Sequence, residues 1–111
     1  MPTKLPLATR IKKFGDRHGI AWSLYKLKEP IKFSHDEEQV GYLLIERKLS
    51  SYYVVVRTAW FEYDKRWETQ AFPSDDNGKP LDLKDLFTEL RPVDHDQFMK
   101  LNGYEVRVYG N

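Results

Sequence analysis

Two short runs in the sequence combine histidine with carboxylates, the side chains that bind divalent metals. They are His35-Asp36-Glu37-Glu38 and Asp94-His95-Asp96. A metal site needs several ligands that converge on one point, whereas neighbours on a strand point in opposite directions and neighbours on a helix diverge by about 100°. At most one or two residues of each run fit one ion, and His18 adds a third only if the fold brings it close. We therefore interpret the runs as a solvated loop and a capped helix, and predict no metal site.

The run Asp75-Asp76-Asn77-Gly78 has the composition of a calcium-binding loop. An EF-hand loop requires oxygen ligands at positions 1, 3, 5 and 12 and glycine at position 6. With Gly78 at position 6, Pro73 occupies position 1 and Lys84 occupies position 12. Two ligands are missing, and a cation replaces one of them. The run predicts a tight turn instead.

Catalytic signatures are absent from the sequence. There is no cysteine, which excludes a thiolate nucleophile, a disulfide and a cysteine metal site. There is also no nucleophile elbow, glycine-rich phosphate loop or paired-carboxylate pattern. We predict a protein that is not an enzyme, with no catalytic residue and no cofactor.

Basic residues are concentrated at the N-terminal end. Residues 1–32 carry eight Lys/Arg and two Asp/Glu, whereas residues 33–111 carry ten and fifteen. Leu7, Ile11 and Phe14 recur with helical spacing, so residues 6–15 are predicted to form a helix. A stripe of cations would follow it, formed by Arg10, Lys13 and Arg17. This stripe is a candidate nucleic-acid-binding surface, with exposed rings such as Trp60, Tyr63 or Trp67 to stack on unpaired bases. The alternative is that the stripe neutralises the acidic remainder of the fold.

The second candidate surface is a group of rings and charges near the middle of the chain. Tyr, Trp and Arg are over-represented among the residues that dominate binding energy at protein interfaces. The predicted protein-binding residues are Trp60, Tyr63, Lys65, Arg66 and Trp67.

Several elements are predicted to position these residues. Residues 20–27 fit a strand, with a helix as the open alternative, and 34–39 fit a loop or a short helical turn. Strands are predicted at 40–47 (buried), 52–61, 67–72 and 104–109, because β-branched and aromatic residues concentrate there or apolar and polar residues alternate. A loop at 62–66 would place Phe61 opposite Trp67. Short helices are predicted near 83–90 and 94–102, the second with Asp94 as its N-cap.

Together these elements predict an α+β fold in one domain, residues 1–111. Its core would be a four- or five-stranded, mainly antiparallel sheet with a meander. An N-terminal helix and two short C-terminal helices would pack on one face of the sheet.

Three segments resemble a known group of proteins: YYVVVR, then ETQAFPSDDNGKPLDLKDL, then DHDQFMKLNGYEV. Their order is similar to that in small uncharacterised proteins of phages and mobile elements. Those proteins also place a Val-rich strand before an E-T-x-x-F-P-x-D-x-x-G-x-x-x-D/L segment, which spans Glu68 to Leu83 here. The resemblance covers roughly the second half of the chain. It implies a bacterial or phage setting and an accessory role, and it implies no activity.

The sequence as a whole predicts a small accessory protein that acts by contact with another protein. No apolar run is long enough for a signal-peptide core or a membrane span, so a cytoplasmic location is expected. The sequence does not identify the protein partner. A second copy of the chain, giving a homo-oligomer, is one of the candidates. Nucleic acid is the second class of partner, and no membrane partner is expected.

Overall fold

In the part of the chain that the structure describes, the fold is one mixed sheet with a single short helix. The computed structural model describes residues 4–15 and 21–109, with the backbone alone for 35–40 and 44–47. In these residues the chain forms β1 (Leu7–Gly15), β2 (Ala21–Val40), β3 (Leu43–Phe61), β4 (Arg66–Ser74), β5 (Phe87–Leu90), α1 (His95–Leu101) and β6 (Glu105–Val108). The sheet order is β5-β4-β3-β2-β1-β6. All neighbours are antiparallel except β1 and β6, which are parallel. The predicted α+β architecture with three helices is therefore wrong.

The predicted N-terminal helix is strand β1. Its register with β2 shifts between Arg10 and Lys12, so Ile11 lies in a β-bulge. A bulge inserts one residue into the alternation of a strand, and side chains three positions apart then reach the same face. Ile11 and Phe14 share a face and pack beside Leu24 for this reason. The bulge reproduces the spacing of a helix, which explains the error.

The centre of the sheet is buried on both faces. Val54, Val55 and Val56 of β3 have no exposed surface, as expected for a strand covered on each side. We call one side the helix face; it carries Val54, Val56 and Ala71, and α1 packs on it through Phe98 and Met99. We call the other side the aromatic face. Its core is Leu24, Val55 and Phe72, surrounded by Ile11, Phe14, Trp22 and Tyr53.

The β3–β4 hairpin forms as predicted, but with a different register. Phe61 lies opposite Arg66, and Trp60 lies opposite Trp67, so the connection has four residues rather than five. A shift of one residue moves every side chain of a strand to the other face. Ala71 and Trp67 therefore lie on the helix face with Val56 and Trp60, not on the face of Val55.

Strands β2 and β3 continue past their neighbours as a two-stranded arm, residues 31–51. Their pairing runs from Ile31 opposite Ser51 to Val40 opposite Leu43. A two-residue turn, Gly41-Tyr42, closes the arm, and Gly41 has φ +63°, as a short hairpin turn requires. Residues 34–39 are therefore strand rather than the predicted loop. The 40–47 strand is present from residue 43, but Leu43 is 72% exposed rather than buried.

The segment between β4 and β5 contains the predicted turn but not the predicted helix. The Asp75 carboxylate accepts hydrogen bonds from the backbone N–H groups of Asn77 and Lys79, both at 2.9 Å. Gly78 follows with φ +86°. Residues 87–90 then form β5 against Glu68–Ala71, so the helix predicted near 83–90 is wrong. The spacing of Leu83, Leu86, Phe87 and Leu90 fits a helix. Residues 87–90 nevertheless form a strand, because they pair with β4.

Helix α1 forms as predicted. The Asp94 carboxylate accepts a hydrogen bond from the Gln97 backbone N–H at 3.2 Å, and Gly103 after the helix has φ +90°. Tyr104 and Val106 then pack on the core of the helix face, whereas Val108 of the same segment is 53% exposed. Among the described residues, no helix has the length and apolar character needed to cross a membrane.

The cap of α1 permits a first prediction. Asp94→Ala removes the side-chain acceptor for the Gln97 N–H, and should lower the free energy of unfolding by about 1 kcal/mol in urea denaturation. Asp94→Asn keeps an acceptor and removes the charge, so it should retain most of this stability. Equal losses in the two variants would show that the charge, and not the cap, stabilises the helix.

Candidate functional site

The predicted ring-and-charge residues lie together at the β3–β4 tip, which we define as residues 60–67. Trp60 and Trp67 are directly paired across the two strands. Their ring centroids are 5.7 Å apart with planes inclined at 64°, an edge-to-face arrangement. Such a pair is stabilised by the quadrupoles of the two rings. The tip therefore contains a tryptophan pair at its base and a four-residue connection above it.

Hydrogen bonds order the connection. The indole Nε1 of Trp60 donates to Glu62 at 2.7 Å, and Lys65 Nζ donates to the same carboxylate at 2.9 Å. These bonds, first from Trp60 and then from Lys65, hold the pKa of Glu62 below its usual value. Lys65 has φ +55°, a left-handed backbone conformation that residues other than glycine seldom adopt. The connection thus has a defined shape, centred on the Glu62 carboxylate.

The rings of the tip remain open to solvent despite this order. Trp60 is 44% exposed, Trp67 is 38% exposed and Tyr63 is 98% exposed. Arg66 lies 3.7 Å from Asp64 and 4.0 Å from Glu68. The structure therefore brings together all five predicted residues, with cations and carboxylates alternating around the rings.

The second predicted surface is not assembled as expected. Arg10 and Lys13 lie on β1, and Arg17 lies outside the described residues. Arg10 donates to Asp96 at 2.8 Å in a largely buried ion pair, so its charge is already neutralised. Lys13 is exposed. The helical stripe is wrong because its helix is absent.

A buried polar network that the sequence did not predict lies between α1 and the helix face. His95, which is 4% exposed, places its two ring nitrogens near two hydroxyls. Nδ1 is 2.6 Å from Ser23 Oγ, and Nε2 is 2.8 Å from Thr58 Oγ1. Thr58 Oγ1 in turn lies 2.8 Å from Thr69 Oγ1. The network joins β2, β3, β4 and α1.

The proton of each group in this network can be assigned by counting donors. Thr69 donates to the Pro92 carbonyl. Thr58 lies 3.4 Å from that carbonyl and 2.8 Å from Thr69 Oγ1, so the shorter contact assigns its proton to Thr69. The Thr58 oxygen then accepts from His95 Nε2–H, and Nδ1 accepts from Ser23. A neutral imidazole satisfies this chain. Burial, with Lys13 nearby as the next cause, lowers the pKa of His95 to about 4.

The network is a structural link rather than an open reaction centre. Ser23 and His95 have the distance of a nucleophile and its base, but Ser23 has no exposed surface. A second polar contact joins the sheet to the same helix: the Tyr25 hydroxyl donates to Asp96 at 2.6 Å. Burial, and then this hydrogen bond, raise the pKa of Tyr25 above its usual value. The polar groups hold the first turn of α1 on the sheet.

Sequence reasoning missed this network because its members are far apart in the chain. Ser23 and His95 are separated by 72 positions, and Thr58 and His95 by 37. One signal in the sequence could have revealed part of the network: Thr58 and Thr69 are opposite each other in the β3–β4 hairpin. The predicted register was shifted by one residue and so did not pair these two threonines. Asp94-His95-Asp96 was correctly interpreted as the start of a capped helix.

Two other features are relevant to binding. A groove of ≈ 470 Å³ at the base of the arm is lined by Lys32, Phe33, Ser34, Lys48, Leu49 and Ser50. No group of three or more His, Asp or Glu side chains that could hold a metal occurs among the residues whose side chains are described. The side chains of His35–Glu38, and residue His18, lie outside that set.

Known proteins add no assignment to these features. The chain matches no protein-family model, no curated protein and no solved structure.

Proposed function

We propose that this protein is a non-catalytic accessory module that binds a partner protein through the β3–β4 tip. The observation that carries this proposal is the Trp60–Trp67 pair, which is ordered by ring packing and by the Glu62 hydrogen bond yet exposed to solvent. Large rings that stay this exposed in the folded chain are typical of interaction surfaces.

Order in the tip favours binding for a thermodynamic reason. Association loses the conformational entropy of each side chain that becomes immobilised, about 0.5–1.5 kcal/mol for a side chain with many rotamers. Trp60 is already held by its hydrogen bond to Glu62 at 2.7 Å and by the ring of Trp67. Less entropy is therefore lost when a partner covers the rings.

The charges of the tip set the character of the partner. Lys65 pairs with Glu62, and Arg66 lies near Asp64. Since these cations and carboxylates balance one another, the rings supply most of the contact energy and the charges select the orientation. A partner with an apolar pocket and a mixed-charge rim fits this surface, and a second copy of the chain is one such partner.

Nucleic-acid binding through the predicted basic residues is the weaker alternative. Arg10 is paired with Asp96, and the helix that was expected to align Arg10 with Lys13 and Arg17 is not formed.

Capture experiments with paired variants test the tip. Immobilised wild-type protein should retain at least one protein from its native host, or should self-associate in sedimentation velocity. Trp60→Ala/Tyr63→Ala should lose that interaction, because it removes two exposed rings that dominate the surface. Tyr52→Ala/Tyr109→Ala removes two exposed rings elsewhere and should retain it.

Circular dichroism of each variant distinguishes a lost surface from a lost fold. A tip variant that is folded and still binds every partner of the wild type would contradict the proposal. A wild-type protein that captures nothing and sediments as a monomer would also contradict it.

A further inference from the structure

Part of the aromatic face forms a platform of rings on three adjacent strands. Phe14 lies on β1, Trp22 on β2 and Phe61 on β3, and each ring is partly exposed. Phe14 and Trp22 are a cross-strand pair. Their rings are nearly parallel, with 6° between the planes and 6.3 Å between the centroids. Phe14 and Trp22 stack on each other, and the Arg57 guanidinium contacts both Trp22 and Phe61, so partly exposed rings and a cation adjoin on this face; unpaired bases stack on such groups.

Cations are interleaved with these rings. The Arg57 guanidinium carbon lies 5.8 Å from the Trp22 centroid, 5.9 Å from that of Phe61 and 5.3 Å from that of Phe72. Arg57 is also fixed by a hydrogen bond to Gln70 at 2.8 Å. Lys12 Nζ lies 5.1 Å from the Phe14 centroid. Each described ring of the platform therefore has a positive group beside it.

The cations of the platform are not fully neutralised by neighbouring carboxylates. Glu68 shares this face, but it lies near Arg66 at 4.0 Å. Asp85 accepts a hydrogen bond from Gln70 at 2.9 Å and sits toward the β4–β5 edge of the sheet. No described ion pair joins Lys12 or Arg57 to a carboxylate, so the β1–β3 side of the face is positive.

The turn after β4 defines one boundary of the platform. A Cβ atom placed on Gly78 would lie 3.5 Å from Phe14 Cζ and 3.8 Å from Leu24. The backbone of this turn therefore covers Leu24 and one side of Phe14. Phe14, Trp22 and Phe61 each remain partly exposed beside this turn.

We propose that this platform binds single-stranded nucleic acid. Unpaired bases stack on aromatic side chains and on arginine, whereas phosphates are attracted to lysine and arginine. The platform supplies both interactions within one rigid sheet. The proposal goes beyond the protein contact assigned to the rings of the β3–β4 tip. Phe61 belongs to that segment, but it lies on the aromatic face, whereas Trp60 and Trp67 lie on the helix face. The platform is also a different surface from the predicted stripe of Arg10, Lys13 and Arg17.

Fluorescence anisotropy tests the proposal with defined probes. A fluorescein-labelled oligo(U) or oligo(dT) of about twelve nucleotides should bind the wild-type protein, and a duplex of mixed sequence should bind at least about ten-fold more weakly, because its bases are already stacked. Affinity for the single strands should fall steeply between roughly 50 and 200 mM salt. Absence of single-strand binding at the lower salt concentration, or equal affinity for the duplex, would overturn the proposal.

Adjacent lysines provide a matched pair of charge variants. Lys12 lies on the aromatic face, and Lys13 pairs with Ser23 on the opposite face. Lys12→Gln should lower affinity on the order of five-fold at roughly 50 mM salt and reduce the salt slope, whereas Lys13→Gln should change neither by more than about two-fold. Equal effects of the two variants would show that net charge alone attracts the oligonucleotide, which overturns the platform.

Ring stacking is tested separately. Phe61→Leu keeps an apolar side chain but removes the flat ring, and should weaken binding about ten-fold. Tyr109→Leu removes an exposed ring outside the platform and should have no effect. Trp60→Ala/Tyr63→Ala should bind the oligonucleotide normally, so failure of the protein-contact proposal and failure of this one are distinguishable.

Discussion

Replacement of His95 by alanine should lower the free energy of unfolding by about 3 kcal/mol. The substitution removes both hydrogen bonds of the imidazole, to Ser23 at 2.6 Å and to Thr58 at 2.8 Å. It leaves the Ser23 hydroxyl buried without its acceptor, and it opens a cavity between α1 and the helix face. An unsatisfied buried polar group and a cavity each contribute to the cost. Urea denaturation at pH 7 measures the loss directly.

A neighbouring position on α1 provides the control. Gln97 is exposed, and its backbone N–H, not its side chain, bonds to Asp94. Gln97→Ala should therefore change stability by less than about 0.5 kcal/mol. If His95→Ala were as mild as Gln97→Ala, with an unchanged denaturant slope, the buried network would not hold the helix on the sheet.

Acidification should destabilise the protein through the same histidine. The folded pKa of His95 is about 4, lowered from 6.5, because burial disfavours the imidazolium. The unfolded chain therefore binds more protons than the folded protein between these two values, and stability must fall as the pH falls through this window. Above pH 6.5, His95 is neutral in both states and does not lower the free energy of unfolding. As the pH falls from 6.5 to about 4, protonation of the unfolded chain lowers the free energy of unfolding by about 3 kcal/mol.

The charged groups around His95 do not reverse this direction. Lys13 and Arg10 oppose protonation, whereas Asp94 and Asp96 favour it, and burial exceeds each of them. Carboxylates elsewhere also titrate near pH 4, so the comparison must be made with His95→Gln. At each pH, the unfolding free energy of the variant is subtracted from that of the wild type, which removes the effect of the other carboxylates. This difference should shrink steadily from pH 7 to pH 4. Parallel stability curves would contradict the assigned neutral state.

The sequence predicted well those elements whose local signals agree with their tertiary contacts. Asp94 and Gly103 mark the two ends of α1, and both act through backbone bonds within a few residues. The β3 strand was equally clear, because β-branched residues fit a buried strand and its neighbours do not alter that preference. The turn at Asp75–Gly78 was identified for the same reason, since Asp75 bonds to N–H groups two and four residues away.

The sequence failed where distant contacts decide the structure. The bulge at Ile11 gave β1 the spacing of a helix, and only pairing with β2 reveals it as a strand. Residues 34–39 are polar and lack the alternation of a half-buried strand, yet they pair with β3 along the arm. Pro30 stands where the β2–β3 register breaks between Lys26 and Ile31; this position tolerates a residue with no N–H.

The candidate tip was predicted by residue type, but its geometry was not. A register error of one residue separated Trp60 from Trp67, and so concealed the ring pair that orders the surface. The aromatic platform was likewise hidden, because only the register of the three strands places Phe14, Trp22 and Phe61 on one face of the sheet.

The most direct test of the proposed function is the affinity of the purified partner, measured by isothermal titration calorimetry. Tyr63→Ala removes a ring that is 98% exposed and contributes no described side-chain hydrogen bond, so the variant should fold as the wild type does. Its dissociation constant should rise at least about ten-fold, whereas that of the control Tyr109→Ala should be unchanged. Equal affinities of wild type, Tyr63→Ala and Trp60→Ala would contradict the assignment of the β3–β4 tip as the contact surface.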